Sequence, residues 1–258
     1  MKIAVLTENT SRSERITAEH GLSLYIEVNN RRILFDMGQT DTFIKNAKAM
    51  GIDLKTVDAA IISHGHYDHG GGLEAFLNLN KSAPVYIRKN AFLPYYNTPN
   101  KYIGLNTALI GTERIIFTDG KYDIGNGMTL YSATEDQKKI PTVPHSLLLR
   151  TENGFIRDGF THEQYLEITE GERRILISGC SHAGIIGIAE RFHPDALIGG
   201  FHLSALSAGE KLVSVARELS EQKTDFYTCH CTGYEQFLFM KKLMPHLSYV
   251  SAGDILNI

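Results

Sequence analysis

Short apolar, β-branched runs recur along the chain, and most close on a polar or glycine-containing turn, the pattern of strands that end in loops. "KIAVLT" runs into Glu8 and Asn9, and "LSLYIEV" and "RRILF" flank Asn29 and Asn30, which predicts a hairpin closing on Asp36 and Gly38. "DAAIIS" leads into a polar segment, and "APVYIR" follows it. "RIIF", "MTLYS", "HSLLLR" and "QYLEIT" predict a run of mostly antiparallel strands. The rhythm changes in the last third. "RRILISG" precedes a helical segment from His182 to Arg191, "DALIGGF" a helix around Ser207 to Glu221, and "DFYT" a helix near Tyr234 to Leu243, before "LSYV" near the end of the chain. In the second of these helices Leu212, Val213 and Ala216 share a face. Strand alternating with helix implies parallel strands with crossover connections. The economical architecture is α/β, two packed sheets with helices outside. Without a Pro- or Ser-rich linker, it forms a single domain over residues 1–258.

Composition narrows the class. Hydrophobic residues make up 43% and charged residues 21%, as in an ordinary globular protein. With 26 Lys and Arg against 29 Asp and Glu the formal charge is −3, so nothing favours nucleic acid or an anionic membrane surface as partner. No apolar stretch approaches the roughly 20 residues that span a bilayer, and "MKIAVLTENT" is too short in apolar character for a signal peptide. Three clustered cysteines, Cys180, Cys229 and Cys231, are too few for a disulfide framework and point to a reducing cytoplasm. Eleven histidines are the one oddity.

Histidines concentrate in "AAIISHGHYDHGGG", Ala59 to Gly72. In an extended segment side chains two apart point the same way, so His64 and His66 can grip one ion from one side. Asp68 and His69 fall past the turn and face a second position. Gly70, Gly71 and Gly72 permit a tight turn, after which Leu73 to Leu77 can begin a helix. Imidazole with carboxylate suits zinc, iron or manganese better than calcium. Other histidines lie at comparable places: His182 after "ILISGCS", His202 after "ALIGGF" and His230 after "FYTC", each beyond a predicted strand. Ligands bind in the crevice beyond strand carboxyl ends in α/β sheets, so four strands aim imidazoles at one edge.

At this point a resemblance becomes specific. "SHGHYDH" resembles the His-x-His-x-Asp-His signature of the metallo-β-lactamase superfamily, and the similarity extends through Asp36 in "LFDMGQ", His182 in "GCSHAG" and His230 in "CHCTG". Within that superfamily, "LTENT", "HGLSLYIE", "SHGHYDHGGGL", "DGFTHEQYLEI" and "ISGCSHAGI" are similar to the branch containing dihydropterin ribofuranosylaminobenzene phosphate synthase-like proteins and many unassigned hydrolases. The resemblance implies an αββα sandwich with a one- or two-metal site. His64, His66 and His182 would hold the first metal, and Asp68, His69 and His230 the second. Dinuclear members usually carry a bridging aspartate where this chain has "GGFHL", so His202 stands in the place of a carboxylate.

The remaining candidates divide between support and substrate contact. Asp36 is read as anchoring the histidine loop by hydrogen bonds. Glu8, Asn9, His20 and His162 fall in the branch's recurring segments and are candidates for support or substrate contact, with turn histidines an equal alternative for His20, His145 and His162. The cysteines are read as small buried residues packing the strand ends rather than as ligands or nucleophiles, with Cys229 and Cys231 facing away from His230 if the strand continues that far. Phe92 to Tyr102, rich in aromatics, Pro and Asn, is either a lid over the site or a homodimer interface. The expected function is hydrolysis of an ester, lactone or phosphoester-type small molecule, with one or two transition-metal ions, zinc before iron or manganese, as cofactor. Metal would lower the pKa of a bound water from 15.7 to about 7, and Asp68 would orient the hydroxide or take its proton. The alternatives are a transferase condensing a dihydropterin with a phosphorylated aminobenzene riboside, and a non-catalytic metal-binding sensor. No Gly-x-Ser-x-Gly elbow supports a covalent serine mechanism.

Overall fold

The computed structural model describes residues 1–133 and 146–258. His145 and the first part of the "HSLLLR" segment's approach lie outside the described residues. In chain order, β1 (Lys2–Thr7), β2 (Ser23–Val28), β3 (Arg31–Phe35), β4 (Ala59–Ile61) and β5 (Val85–Arg88) build a first sheet, with α1 (Thr42–Ala49) joining β3 to β4, and α2 (Tyr67–Gly70) and α3 (Leu73–Leu79) joining β4 to β5. The chain then leaves this sheet for β6 (Tyr95–Thr98) and β7 (Lys101–Tyr102) and returns to it as β8 (Ile115–Thr118). β9 (Lys121–Gly125) and β10 (Met128–Ser132) open a second sheet, while β11 (Leu148–Thr151) and β12 (Gly154–Arg157) pair with β6 and β7. β13 (Gln164–Glu170), β14 (Arg173–Ile177), β15 (Ala196–Gly199), β16 (Asp225–Thr228) and β17 (Leu247–Tyr249) complete the second sheet, with α4 (Ile185–Phe192), α5 (Glu210–Ser220) and α6 (Tyr234–Lys241) between its last four strands. β18 (Ile255–Asn257) then closes the edge of the first sheet beside β1.

Both seven-stranded sheets are mixed. β1, β2 and β3 run antiparallel, and β3, β4, β5 and β8 parallel. β9, β10, β13 and β14 run antiparallel, and β14, β15, β16 and β17 parallel. Two expectations need correction. "RIIF" is not part of an antiparallel run, because as β8 it lies parallel to β5. β11 joins neither large sheet but a third, of four strands in the order β12-β11-β6-β7.

The period-two pattern decides which side chains meet. Ile33 and Phe35 of β3, Ile175 and Ile177 of β14, and Ile198 of β15 enter one cluster between the two sheets. Their neighbours face outward: Leu34 packs with Phe43 of α1 and Phe76 of α3, and Leu176 and Leu197 pack with Ile188 of α4 and Leu212 of α5. Central parallel strands covered on both faces need continuous apolar runs, which is why "RRILI" and "DALIG" barely alternate. The result is an αββα sandwich whose four loops after β4, β14, β15 and β16 carry His64, His182, His202 and His230 at one edge.

That edge holds unusual backbone. Among the described residues nine non-glycine positions have positive φ; Asn29, Asn30 and Asn126 sit in tight turns and His193 ends α4, while Asp36, Phe160, Ser181, His202 and His230 all lie in the loops around the histidines. Such conformations cost of order 1–3 kcal/mol each and persist only where surrounding contacts hold them. Phe35 is the last core residue before Asp36 and is completely buried. Phe35→Ala is expected to destabilise the fold by about 3–5 kcal/mol, read as a lower urea midpoint with an unchanged slope.

Candidate metal centre

Three hydrogen bonds converge on the buried carboxylate of Asp36, which accepts from Ser63 N, Ser63 Oγ and His69 Nδ1, each at 2.7 Å. An ionised carboxylate only accepts, so the Ser63 hydroxyl spends its proton there and accepts from His64 Nδ1 at 2.8 Å. The neutral ring of His64 then keeps a bare Nε2. Although burial opposes it, the Asp36 and Asp68 carboxylates raise His69 to about 9, so its Nε2 offers a lone pair once a cation takes the place of the proton. His230 is fixed in the same way. Its Nδ1 donates to Asn9 Oδ1 at 2.8 Å, and Gly21 N donates to the same oxygen at 3.2 Å, leaving His230 Nε2 bare. His230 Nε2 lies 3.2 Å from His69 Nε2 and 3.3 Å from Asp68 Oδ2, and His69 Nε2 lies 3.9 Å from that oxygen. Two lone pairs and a carboxylate oxygen facing one another suit a shared cation.

A second donor set lies beside the first. The ligand atoms of His64, His66 and His182 fall within 4.8 Å of one another. His64 Nε2, His66 Nε2 and both ring nitrogens of His182 are buried without a hydrogen-bond partner, an arrangement that costs free energy unless something else satisfies them. Burial drives His64 and His182 well below the ordinary imidazole range and lowers His66 as well. Neutral rings are the form that coordinates metal. Orphaned nitrogens in a neutral histidine set therefore fit a transition metal. The arrangement brings together each of the two trios read from the sequence.

Buried acids hold the loops that carry these rings. Glu163 accepts from His182 N at 2.8 Å, from Ala183 N at 3.0 Å and from Tyr165 Oη at 2.7 Å. Glu8 accepts from His230 N at 2.6 Å and Tyr249 Oη at 2.8 Å, while its other oxygen accepts from Thr10 N and Oγ1, both at 2.6 Å. His162 spends both nitrogens on structure: Nδ1 accepts from Gly65 N at 2.9 Å, so Nε2 donates to Asp158 Oδ2 at 3.0 Å. That leaves His162 with no lone pair for a metal or a substrate. Asp158 also stands 3.7 Å from His66 Nε2. The sequence reading missed Glu163 and Asp158; Glu163 adjoins His162 in "FTHEQ", but neither the spacing nor the residue type marks it.

The cavity over the donors has a volume of about 340 Å³. Asn9, His20, Asp68, His202 and the cysteines Cys180 and Cys231 line it, and Asn97, Lys101, Ile103 and Leu147 form its far wall. Two expectations change. Cys180 and Cys231 are buried but also face this cavity, because β16 stops at Thr228 and a tight turn from His230 to Thr232 re-aims Cys231; only Cys229 packs into the core between the sheets. Of the two readings of Phe92–Tyr102, a lid or a homodimer interface, the free lid does not fit. Phe92 and Tyr95 are buried, and β6 pairs with β11 to make a fixed wall. Asp68 is the acid at the centre. Burial would raise its carboxyl, but His69, His20 and His230 hold it well below the usual carboxylate range. His20, 57% exposed, stands at the mouth with Nε2 3.3 Å from Asp68 Oδ2.

Residues 16–218 match the family model of the metallo-beta-lactamase superfamily. The chain belongs to that superfamily. As a metallo-beta-lactamase-fold protein it is 30% identical over 271 residues, 93% of this chain and 90% of the other, to a Methanocaldococcus jannaschii protein named 7,8-dihydropterin-6-methyl-4-(beta-D-ribofuranosyl)-aminobenzene-5'-phosphate synthase. An uncharacterized protein of the same organism is 28% identical over 99% of this chain and 100% of its own. A solved structure described as a metal-dependent hydrolase of the beta-lactamase superfamily is 30% identical and superposes with a TM-score of 0.85, covering 100% of this chain and 99% of the other. No helix among the described residues of this superfamily member is long and apolar enough to cross a membrane. His64→Ala and His182→Ala are each expected to remove most bound transition metal, and elemental analysis of the purified variants, with circular dichroism as the fold control, checks it.

Proposed function

We propose that the protein is a metal-dependent hydrolase of an ester, lactone or phosphoester-type small molecule, with one or two transition-metal ions, zinc first among them. The observation that carries the reading is the pair of adjacent donor sets, His64/His66/His182 and Asp68/His69/His230, whose His66, His182, Asp68 and His230 line one cavity of about 340 Å³. A cavity of that size suits a small molecule rather than a polymer. Bound metal would supply Lewis acidity and lower the pKa of coordinated water from 15.7 to about 7.

This chain's own residues handle the proton and the substrate. Among the described residues that line the cavity Asp68 is the only carboxylate, and its ionised side chain orients attacking water and accepts its proton. His20 Nε2 lies 3.3 Å from the Asp68 carboxylate and is half-open to solvent, so it relays that proton outward. Asn97 and Lys101 on the far wall supply an amide and a cation to seat the part of the substrate that does not react. The fixed wall excludes bulk water from one side.

A second reading is transfer, favoured by the 30% identity to a relative named as a synthase. The same donors would then activate a dihydropterin toward a phosphorylated aminobenzene riboside. Incubating the metal-loaded protein with ester, lactone and phosphodiester panels, and separately with a dihydropterin and such a partner, separates the two. Turnover of neither set leaves a metal-binding sensor as the better description. Replacement of Asp68 by Asn keeps the shape and removes the charge, so turnover should fall roughly a hundredfold or more while metal at His64, His66 and His182 is retained. Wild-type rates in that variant would assign the proton to another group.

A further inference from the structure

One cluster beside the cavity is used by neither trio. Cys180, His202 and Cys231 each offer a ligand atom, and the three atoms lie within 4.8 Å of one another. They come from three loops, those following β14, β15 and β16. His202 Nδ1 is buried without a hydrogen-bond partner, although its backbone is held at φ 51 in the left-handed region and its amide donates to Cys231 Sγ at 3.3 Å. The left-handed backbone holds the ring beside Cys231 and leaves its Nδ1 unpaired.

Room for the sulfur is built in. A Cβ added at Gly200 would stand 2.3 Å from Cys231 Sγ, so only glycine admits the thiol at that depth. Cys231 Sγ also lies 3.5 Å from Cys180 O, and Cys180 Sγ lies 3.1 Å from His69 Nε2, which places Cys180 at the border between this cluster and the histidine donors. None of the three cysteines is in a disulfide. Two thiols and an imidazole form a softer donor set than the nitrogen and oxygen sets beside them, and soft sulfur ligands select zinc and its heavier relatives over hard cations.

From this geometry we infer a separate, sulfur-rich metal site at Cys180, His202 and Cys231, suited to a soft divalent ion. Binding there releases two protons to solvent, one from the Cys180 thiol and one shared by Cys231 and His202, and the two thiolates neutralise the ion's charge in a buried place. The site draws on no ligand of either trio, although Cys180 brings it to their border. It also gives the imidazole at 202 a role in the slot where the superfamily resemblance leads one to expect a carboxylate.

Cadmium tests the inference, since its thiolate complexes absorb in the ultraviolet and its histidine complexes do not absorb there. Chelator-treated full-length protein titrated with Cd²⁺ should develop a thiolate-to-metal band. Cys231→Ser should lose about half of that band. His202→Ala, which removes a ligand, should weaken the affinity read from it by at least the 10–100-fold typical of losing a supporting partner. Both variants should still take up Co²⁺ at the histidine donors, which reports that they are folded. Absence of any thiolate band at saturating Cd²⁺ would overturn the site. So would a band of unchanged strength and affinity in both variants, which would mean that Cys180 alone ligates metal within the histidine centre.

Discussion

The Asp36 carboxylate is the constraint on which the metal edge depends. It is fully buried, and such a charge is tolerable only when its lone pairs are taken up. Three donors take them up, and each is attached to something functional. Ser63 passes the interaction on to His64, and His69 is held directly, so one acid sets the tautomer of a ring in each trio. The backbone bond to Ser63 N also ties the end of β3 to the loop after β4. Because Asp36 itself sits at φ 58, the arrangement stands on a strained residue that Phe35 and its neighbours between the sheets must hold in place.

The same device recurs twice. Glu163 grips the backbone that presents His182, and Glu8 grips the backbone that presents His230. In each case an acid on one strand end fixes a loop on another, so the imidazoles are positioned by main-chain hydrogen bonds as well as by their own rings. Ser181 and His230, next to or within those loops, are also in the left-handed region. Rigid aim of this kind is what metal ligation needs, because orienting partners set ring direction and tautomer.

The small four-stranded sheet gives the cavity its other half. Without it the donors would face open solvent, and with it Asn97, Lys101, Ile103 and Leu147 stand opposite them. Cutting out Pro94 to Asn100 would remove the whole of β6, including the buried Tyr95, so this segment does not behave as a tolerant loop. Tyr95 is tied to the centre as well, its ring 4.0 Å from that of His162. The side of the cavity opposite the donors is therefore a built wall.

The sequence alone determined the two sheets, the outer helices and the local pairs His64/His66 and Asp68/His69, because those are written locally, while the division into two trios was what the superfamily resemblance implied. Apolar runs, period-two alternation, and His-x-His-x-Asp-His after a strand are all short-range patterns, and each maps to one element. The placement of His182 and His230 with His64 and His69 also followed, since each comes just after a strand carboxyl end. What only the tertiary structure decided depends on long-range contact. Glu163 and Asp158 look like ordinary surface acids in sequence, and their burial beside His182 and His162 is set by how β13 and the loop before it pack. Cys231 turns toward the cavity rather than away because β16 ends at Thr228, and a strand's last residue is fixed by its partners rather than by its own side chains. β8 and β11 were apolar runs that fit either large sheet, and only pairing assigned one to the first sheet and the other to the third.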